Sequence, residues 1–206
     1  EDISDLIADS YFVTVTDIYG CTDTLSHTIN EPDELQISIN SATDSLLCFG
    51  DDDGFINIDV IGGTGTYSYD WSNGETTEDI SDLVAGSYSV VVTDIYGCTD
   101  TLSHTINEPD ELQISINNAT DSLACFGDDD GFINIDVIGG TGTYSYDWSN
   151  GETTEDISDL VAGSYSVTVT DIYGCTDTFS HTISEPDLLQ VSIDNATDSL
   201  LCFGDT

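Results

Sequence analysis

"SYSVVVTD", residues 87–94, sets Tyr88, Val90 and Val92 on one side of an extended chain and Ser87, Ser89 and Thr93 on the other. Apolar residues at every second position, rich in β-branched and aromatic types, mark a half-buried strand. The strand runs into "IYGC", residues 95–98, where Tyr96-Gly97 punctuates a turn. From Val92 the chain reads "VTDIYGCTDT", and the same ten letters begin at Val15 and at Val169. One strand, its turn and the start of its return strand are therefore written three times.

The cysteines give the interval. Cys21, Cys98 and Cys175 are evenly spaced, 98 − 21 = 175 − 98 = 77, and Cys48, Cys125 and Cys202 keep the same step. Solenoid repeats are shorter, about 20–50 residues, whereas a unit of this length suffices for a core of its own. Two intervals leave a remainder, 206 − 2 × 77 = 52, so the chain reads as a stretch of a longer repetitive polymer that starts and stops inside a repeat. "EP" closes each copy at Pro32, Pro109 and Pro186. The expected division is 1–32, the later part of a repeat; 33–109 and 110–186, two complete repeats; and 187–206, the beginning of another.

Within 33–109 the alternation recurs. "LQISIN" places Leu35, Ile37 and Ile39 on one face, "FINIDV" Ile56, Ile58 and Val60, "YSYDW" Tyr67, Tyr69 and Trp71, and "TLSHTI" Leu102, His104 and Ile106. Glycine-bearing turns separate them at Gly62, Gly74, Gly86 and Gly97, and no stretch carries a helical period. Short strands with turns between them, in units as short as these, predict an all-β antiparallel β-sandwich. The two complete copies differ at five positions: Ser41/Asn118, Leu47/Ala124, Val91/Thr168, Leu102/Phe179 and Asn107/Ser184. The outward Val91 is replaced by a polar residue and the inward Leu102 by an apolar one, as the faces require.

The chain has 41 acidic residues and no lysine or arginine, a formal charge of −41. Phosphate contacts need cations, so nucleic acid is excluded as a partner, and anionic membrane surfaces are disfavoured. Self-repulsion at this level keeps a chain soluble and strains its compact state. Screening within ~8 Å at physiological salt and neutralisation by divalent cations relieve it, which suits a saline or calcium-containing exterior. High net charge also marks disorder, but 38% hydrophobic residues in strict alternation argue for a folded chain.

"CFGDDDGFINIDVIGGTGTYSYDWSNGETTEDISDLVAGSYSVVVTDIYGC", residues 48–98, closely resembles the SprB repeat of Bacteroidota gliding and cell-surface adhesins. The likeness lies in Cys and Gly before an Asp-rich turn, then "GG", "Y-x-Y-x-W-S-x-G" and "L-x-A-G-x-Y-x-V-x-V-T-D-x-x-G-C". It implies tandem immunoglobulin-like or PKD-like sandwich domains in a linear array. It further implies a large secreted protein on the bacterial cell surface, exported by the type IX system and serving adhesion or gliding motility. The expected function is a stalk segment of such an adhesin or filament, non-enzymatic, without direct membrane insertion. Expected partners are neighbouring repeats, identical chains in a fibre and surface polysaccharide. The complete loss of Lys and Arg departs from what the family requires. The alternative is a calcium- or glycan-binding repeat module.

Two cysteines per repeat in a secreted β-domain, with no C-x-x-C spacing, read as disulfides. The favoured pairing is Cys48 with Cys98 and Cys125 with Cys175, each closing ~50 residues at about 4 kcal/mol in the chain-entropy model. The alternative is Cys48 with Cys175, because the turns before the second strand and after the penultimate one sit at opposite poles of a seven-stranded sandwich. No cofactor is required. Calcium is the one ion suggested, through Asp51, Asp53 and Asp94, and Asp128, Asp130 and Asp171, although Phe49 and Val60 occupy the first and last ligand positions of an EF-hand loop. His27, His104 and His181 read as satisfied rim residues. No nucleophile has a base at motif spacing, and paired carboxylates carry no information where 41 are present. "DTL" and "DSL" match the O-glycosylation acceptor that the resemblance implies, at Thr24, Ser45, Thr101, Ser122 and Ser199. "NAT" at Asn118 and Asn195 fits an N-glycosylation triplet that a bacterial protein makes little use of.

Overall fold

The computed structural model describes residues 3–194. Fourteen strands and no helix are found there: β1 (Asp9–Thr16), β2 (Thr22–Ile29), β3 (Gln36–Ala42), β4 (Gly54–Ile61), β5 (Ser68–Trp71), β6 (Ile80–Leu83), β7 (Gly86–Thr93), β8 (Thr99–Ile106), β9 (Gln113–Ala119), β10 (Gly131–Ile138), β11 (Ser145–Trp148), β12 (Ile157–Leu160), β13 (Gly163–Thr170) and β14 (Thr176–Ile183). The chain forms two compact units. One comprises Glu1–Leu46 and Gly50–Asn107; the other comprises Leu47–Phe49 and Glu108–Thr206. The segment Leu47–Phe49 is thus written in the first complete sequence repeat and packed with the second.

In the first unit, β3-β4-β6 and β5-β7-β8 are two three-stranded antiparallel sheets. Their inner faces enclose Leu35, Leu46, Ile56, Ile58, Trp71, Ile80, Leu83, Val90, Val92 and Ile106, with Ile37, Tyr67, Tyr69, Tyr88 and Leu102 packed around them. This is the antiparallel sandwich read from the alternation, of the immunoglobulin-like kind that the resemblance implies. At about 1.5–3 kcal/mol for each fully buried aliphatic side chain, these contacts dominate what holds the unit together. A parallel bridge between Ser45 and Asn107 ties the chain after β3 to the chain after β8, with Leu46 N–H donating to the Asn107 carbonyl at 2.8 Å. Trp71 donates its indole N–H to the Thr77 carbonyl (2.9 Å), and Tyr88 donates its hydroxyl to the Val84 carbonyl (2.9 Å), fixing the corner after "AG".

The second unit repeats this with β9-β10-β12 and β11-β13-β14 around Trp148, Ile133, Val167 and Ile183. Tyr165 closes the same corner on Val161 at 2.9 Å. The remaining sheet is the hairpin β1-β2.

One local reading is corrected. Ile39, placed inward by alternation, pairs with the buried Ile58 but is itself 38% exposed, at the point where the β3–β4 register slips before Ser41. Beyond that bulge Ala42, rather than Ser41, lies opposite the buried Ile56. The strand β6 has no two-residue period: Ile80 and Leu83 both point inward because Asp82 between them takes a left-handed φ of 57°. Aspartate tolerates that region better than most residues. At the "GG" turn, Gly62 (φ 72°) lies so close to the Glu34 carbonyl that a Cβ would overlap it.

Candidate functional site: the cysteine turn and its acidic frame

The turn after β7 is built by Asp94. Its carboxylate accepts from Tyr96 N–H (2.9 Å) and Cys98 N–H (2.9 Å) with one oxygen and from Thr64 N–H (3.0 Å) with the other. Asp171 repeats the arrangement with Tyr173 (2.9 Å), Cys175 (3.0 Å) and Thr141 (2.8 Å). Both are buried. Burial alone would push the Asp94 carboxyl up, but the backbone N–H groups of Cys98, Tyr96, Thr64 and Gly97 outweigh it and hold the group below the ordinary aspartate value. Asp171 is lowered in the same way against its burial.

This is a general solution in a chain without lysine or arginine. Asp79 accepts from Ile58 N–H (3.0 Å), Asp100 from Ile37 N–H (2.9 Å) and Asp177 from Ile114 N–H (2.9 Å). Carboxylates find their positive partners in the main chain, through charge-assisted hydrogen bonds that also tie strand to strand. Among the described residues His104 Nε2 lies 3.4 Å from Asp44 and His181 Nε2 lies 3.5 Å from Asp121, contacts that are ion pairs only when the imidazole is protonated. Those nitrogens also lie 2.9 Å from the carbonyls of Thr43 and Thr120, which accept only, so Nε2 carries the hydrogen. His104 and His181 are satisfied rim residues.

The cysteines correct the favoured pairing. Cys48 is bonded to Cys175, with a Cα–Cα distance of 5.6 Å, while Cys21, Cys98 and Cys125 are free and exposed. Neither Cys48–Cys98 nor Cys125–Cys175 forms. The reason is topological: Gly54, at the start of β4, pairs with Leu83 just before β7, whereas Cys98 follows the far end of β7. An eight-residue strand is ~26 Å long, and a disulfide needs Cα atoms within about 7 Å. The expected alternative, Cys48 with Cys175, is the bond present. It spans a sequence separation of 127 and lies wholly within the second unit, to which Leu47–Phe49 belongs. Cys202 lies outside the described residues.

The seat of that bond is a shallow cleft beside Cys48 and Phe49, walled by Glu111, Leu112, Gly174, Cys175, Thr176 and Asp177. The Cys175 sulfur lies 3.4 Å from the Leu47 carbonyl oxygen. In the first unit the corresponding cleft is lined by Glu34, Leu35, Cys98, Thr99 and Asp100, together with residues 31–33 and Gly63. Sequence reading located every cysteine and neither cleft, since the walls come from strands far apart in the chain.

The calcium candidates do not converge. Among the described residues no three of His, Cys, Asp and Glu gather to hold a metal ion. Asp94 and Asp171 face N–H donors, surroundings made for an anion. Asp128 accepts from Cys125 N–H (2.9 Å) and shapes its own turn. Asp53 and Asp130 are exposed, and Asp51 is half-buried. Of the glycosylation candidates, Thr24 and Thr101 are exposed on β2 and β8, and Ser45 and Ser122 are exposed at the bridge between sheets. Asn118 lies on β9 opposite Asn134, while Ser199 and Asn195 fall outside the described residues.

The SprB repeat family matches the chain at residues 40–76 and 117–153, two segments in phase with the cysteine interval. No curated protein matches the chain. Among solved structures, the chain is similar to three N-terminal domains of the highly immunogenic outer capsid protein of bacteriophage RB49, at 20% identity, 74% of this chain, 58% of that one and a TM-score of 0.36. It is also similar to the N-terminal four Ig domains of Dscam1 isoform 7.44 (15% identity, 86% and 54% coverage, TM-score 0.37) and to titin domains I67–I69 (12% identity, 87% and 75% coverage, TM-score 0.48). The chain spans little more than half the length of the phage and Dscam1 structures.

Proposed function

We propose that a chain carrying two in-phase SprB repeats is a stalk segment of a large, secreted, repetitive cell-surface adhesin or filament, extending its reach for adhesion or gliding motility. The observation that carries the reading is the repetition itself: two segments match the SprB repeat at the interval at which two near-identical sandwiches recur. A unit with its own core can be copied head to tail without redesign, so length grows with copy number and the surface stays the same. The disulfide favours an oxidising, extracellular location, here the bacterial surface. The charge of −41 favours solubility at high local density and guards identical neighbours against strand exchange and aggregation. Neighbouring repeats are the partners of first rank; identical chains and surface polysaccharide follow.

The test is replacement. Deleting repeats from the native protein should shorten the surface filament and weaken attachment or gliding in proportion. Inserting the same number of unrelated immunoglobulin-like domains should restore both. If length returns without attachment, the repeats act as ligand-binding modules and the stalk reading is overturned.

A further inference from the structure

We infer that the free Cys98 cleft is a socket for the Leu-Cys-Phe tongue of another copy of this repeat, and that it closes as a disulfide in the manner of Cys48 on Cys175. The assignment goes beyond the adhesin reading and stands whether or not that reading holds.

The second unit shows the occupied form. There the tongue Leu47–Phe49 lies on a cleft walled by Glu111, Leu112, Thr176 and Asp177, and Cys48 is bonded to Cys175. The first unit has Glu34, Leu35, Thr99 and Asp100 in those places, one repeat earlier, around an exposed thiol. The frame is the same in both. Cys98 N–H donates to Asp94 at 2.9 Å and Cys175 N–H to Asp171 at 3.0 Å. Asp100 holds Ile37 N–H at 2.9 Å and Asp177 holds Ile114 N–H at 2.9 Å. The socket is therefore formed before it is filled, which lowers the ordering cost of filling it.

An independent difference marks occupancy. Tyr173, two residues before the bonded cysteine, is 51% exposed, whereas Tyr96 at the same place in the first unit is 76% exposed. The next tongue along the chain is preformed too: Cys125 is exposed, its N–H donates to Asp128 at 2.9 Å, and Gly127 N–H donates to Glu185 at 2.7 Å. Cys21 supplies a comparison: it sits in the same turn, with its N–H on Asp17 at 2.8 Å, on a hairpin that among the described residues forms a sheet of two strands.

The chemistry is thiol–disulfide exchange. The Cys98 thiolate attacks the tongue sulfur of a mixed disulfide, a new S–S bond forms, and the former partner leaves as a thiolate, with no net oxidation. Starting from two free thiols, a disulfide oxidant must accept the two electrons and two protons.

The probe is the peptide SLLCFGD, the letters of residues 45–51, activated as a mixed disulfide with thionitrobenzoate and added to the full chain in moderate salt. Released thionitrobenzoate gives the rate. Glutamate-specific cleavage with mass spectrometry gives the site, trypsin being useless on a chain without Lys or Arg. Cys98 is expected to react about tenfold faster than Cys21 and Cys125. Glutathione activated in the same way should label the three within about threefold of one another. Cys98→Ser should remove the fast phase and leave the slow ones. An equal distribution of peptide over the exposed thiols, or the same preference for glutathione as for peptide, overturns the socket. Neither result bears on whether the repeats serve adhesion.

Discussion

The hairpins β1-β2 and β7-β8 hold the same register, Asp9 opposite Ile29 and Gly86 opposite Ile106, and nearly the same letters. Their fates differ. Val90 and Val92 are 0% exposed, while their counterparts Val13 and Val15 are 52% and 65% exposed. Tyr11 still makes its corner, donating to the Ile7 carbonyl at 2.9 Å as Tyr88 does to Val84. Pairing, turn and corner are therefore written locally, in the stretch of chain that the hairpin itself occupies. Burial is supplied from elsewhere in the sequence, by the opposing sheet β3-β4-β6.

An acidic residue at the two equivalent places should expose that difference most sharply. Val90→Asp puts an unpaired carboxylate in the first core and should cost that core more than about 4 kcal/mol, whereas Val13→Asp, outside that core, should change its stability by no more than about 0.5 kcal/mol. Urea unfolding resolves the units individually because each has one tryptophan: in a Trp148→Phe background, Trp71 reports the first core. Equal losses at both positions would erase the distinction between the hairpins. The next largest effect separates the two units. Reducing Cys48–Cys175 should cost the second unit about 3 kcal/mol, less than the ~5 kcal/mol of a fully flexible loop because the folded residues 50–107 lie inside it. The loss should appear when Trp148 is followed in a Trp71→Phe background and be absent when Trp71 is followed in the Trp148→Phe background, since Cys98 of the first unit is free.

The same contrast explains what could be read in advance. Two-residue alternation told inward from outward at Tyr88, Val90, Val92, Trp71 and Ile106, because a strand's faces are a local property of its backbone. It placed Ile39 inward, where that residue is 38% exposed beside the register slip at the end of β3, and it did not find β6, in which the left-handed Asp82 lets Ile80 and Leu83 both point inward without a two-residue period. It also failed to settle the cysteine pairing, since distance across a sandwich follows from strand directions that no local pattern contains. The acidic side chains looked like cation ligands for a similar reason. That Asp94 accepts three backbone N–H groups depends on Thr64, 30 residues away, arriving at the same spot.

Asp94 and its hairpin counterpart Asp17 give the third comparison. Asp17 accepts from Tyr19 and Cys21 in an exposed turn; Asp94 adds Thr64 and is buried. Because the folded state holds the Asp94 carboxyl below its ordinary value, its contribution is fully present above the unfolded pKa, about 3.9, and is lost as pH falls through the lower folded pKa. Asp94→Asn should therefore lower the urea midpoint of the first unit at pH 7, with the gap from the parent protein narrowing below about pH 4. Asp17→Asn, outside that unit's core, should leave its midpoint at pH 7 unchanged. Measuring variant against parent cancels the general relief of self-repulsion that acid brings to so anionic a chain. A gap constant across the titration would mean that the charge of Asp94 contributes nothing.

The smallest effect is expected where the repeats themselves disagree. Val91 on β7 corresponds to Thr14 on β1 and Thr168 on β13, and it faces outward opposite Thr101. In the first hairpin the matching pair, Thr14 and Thr24, joins hydroxyls at 3.2 Å. Val91→Thr can make the same cross-strand bond while giving up a side chain that is already 38% exposed, so gain and loss should nearly cancel, within about 0.5 kcal/mol. A loss above about 1 kcal/mol in the same unfolding assay would mean that the outer face of β7 is covered in the folded protein. The two faces of the strand would then no longer differ as the contrast between hairpins requires.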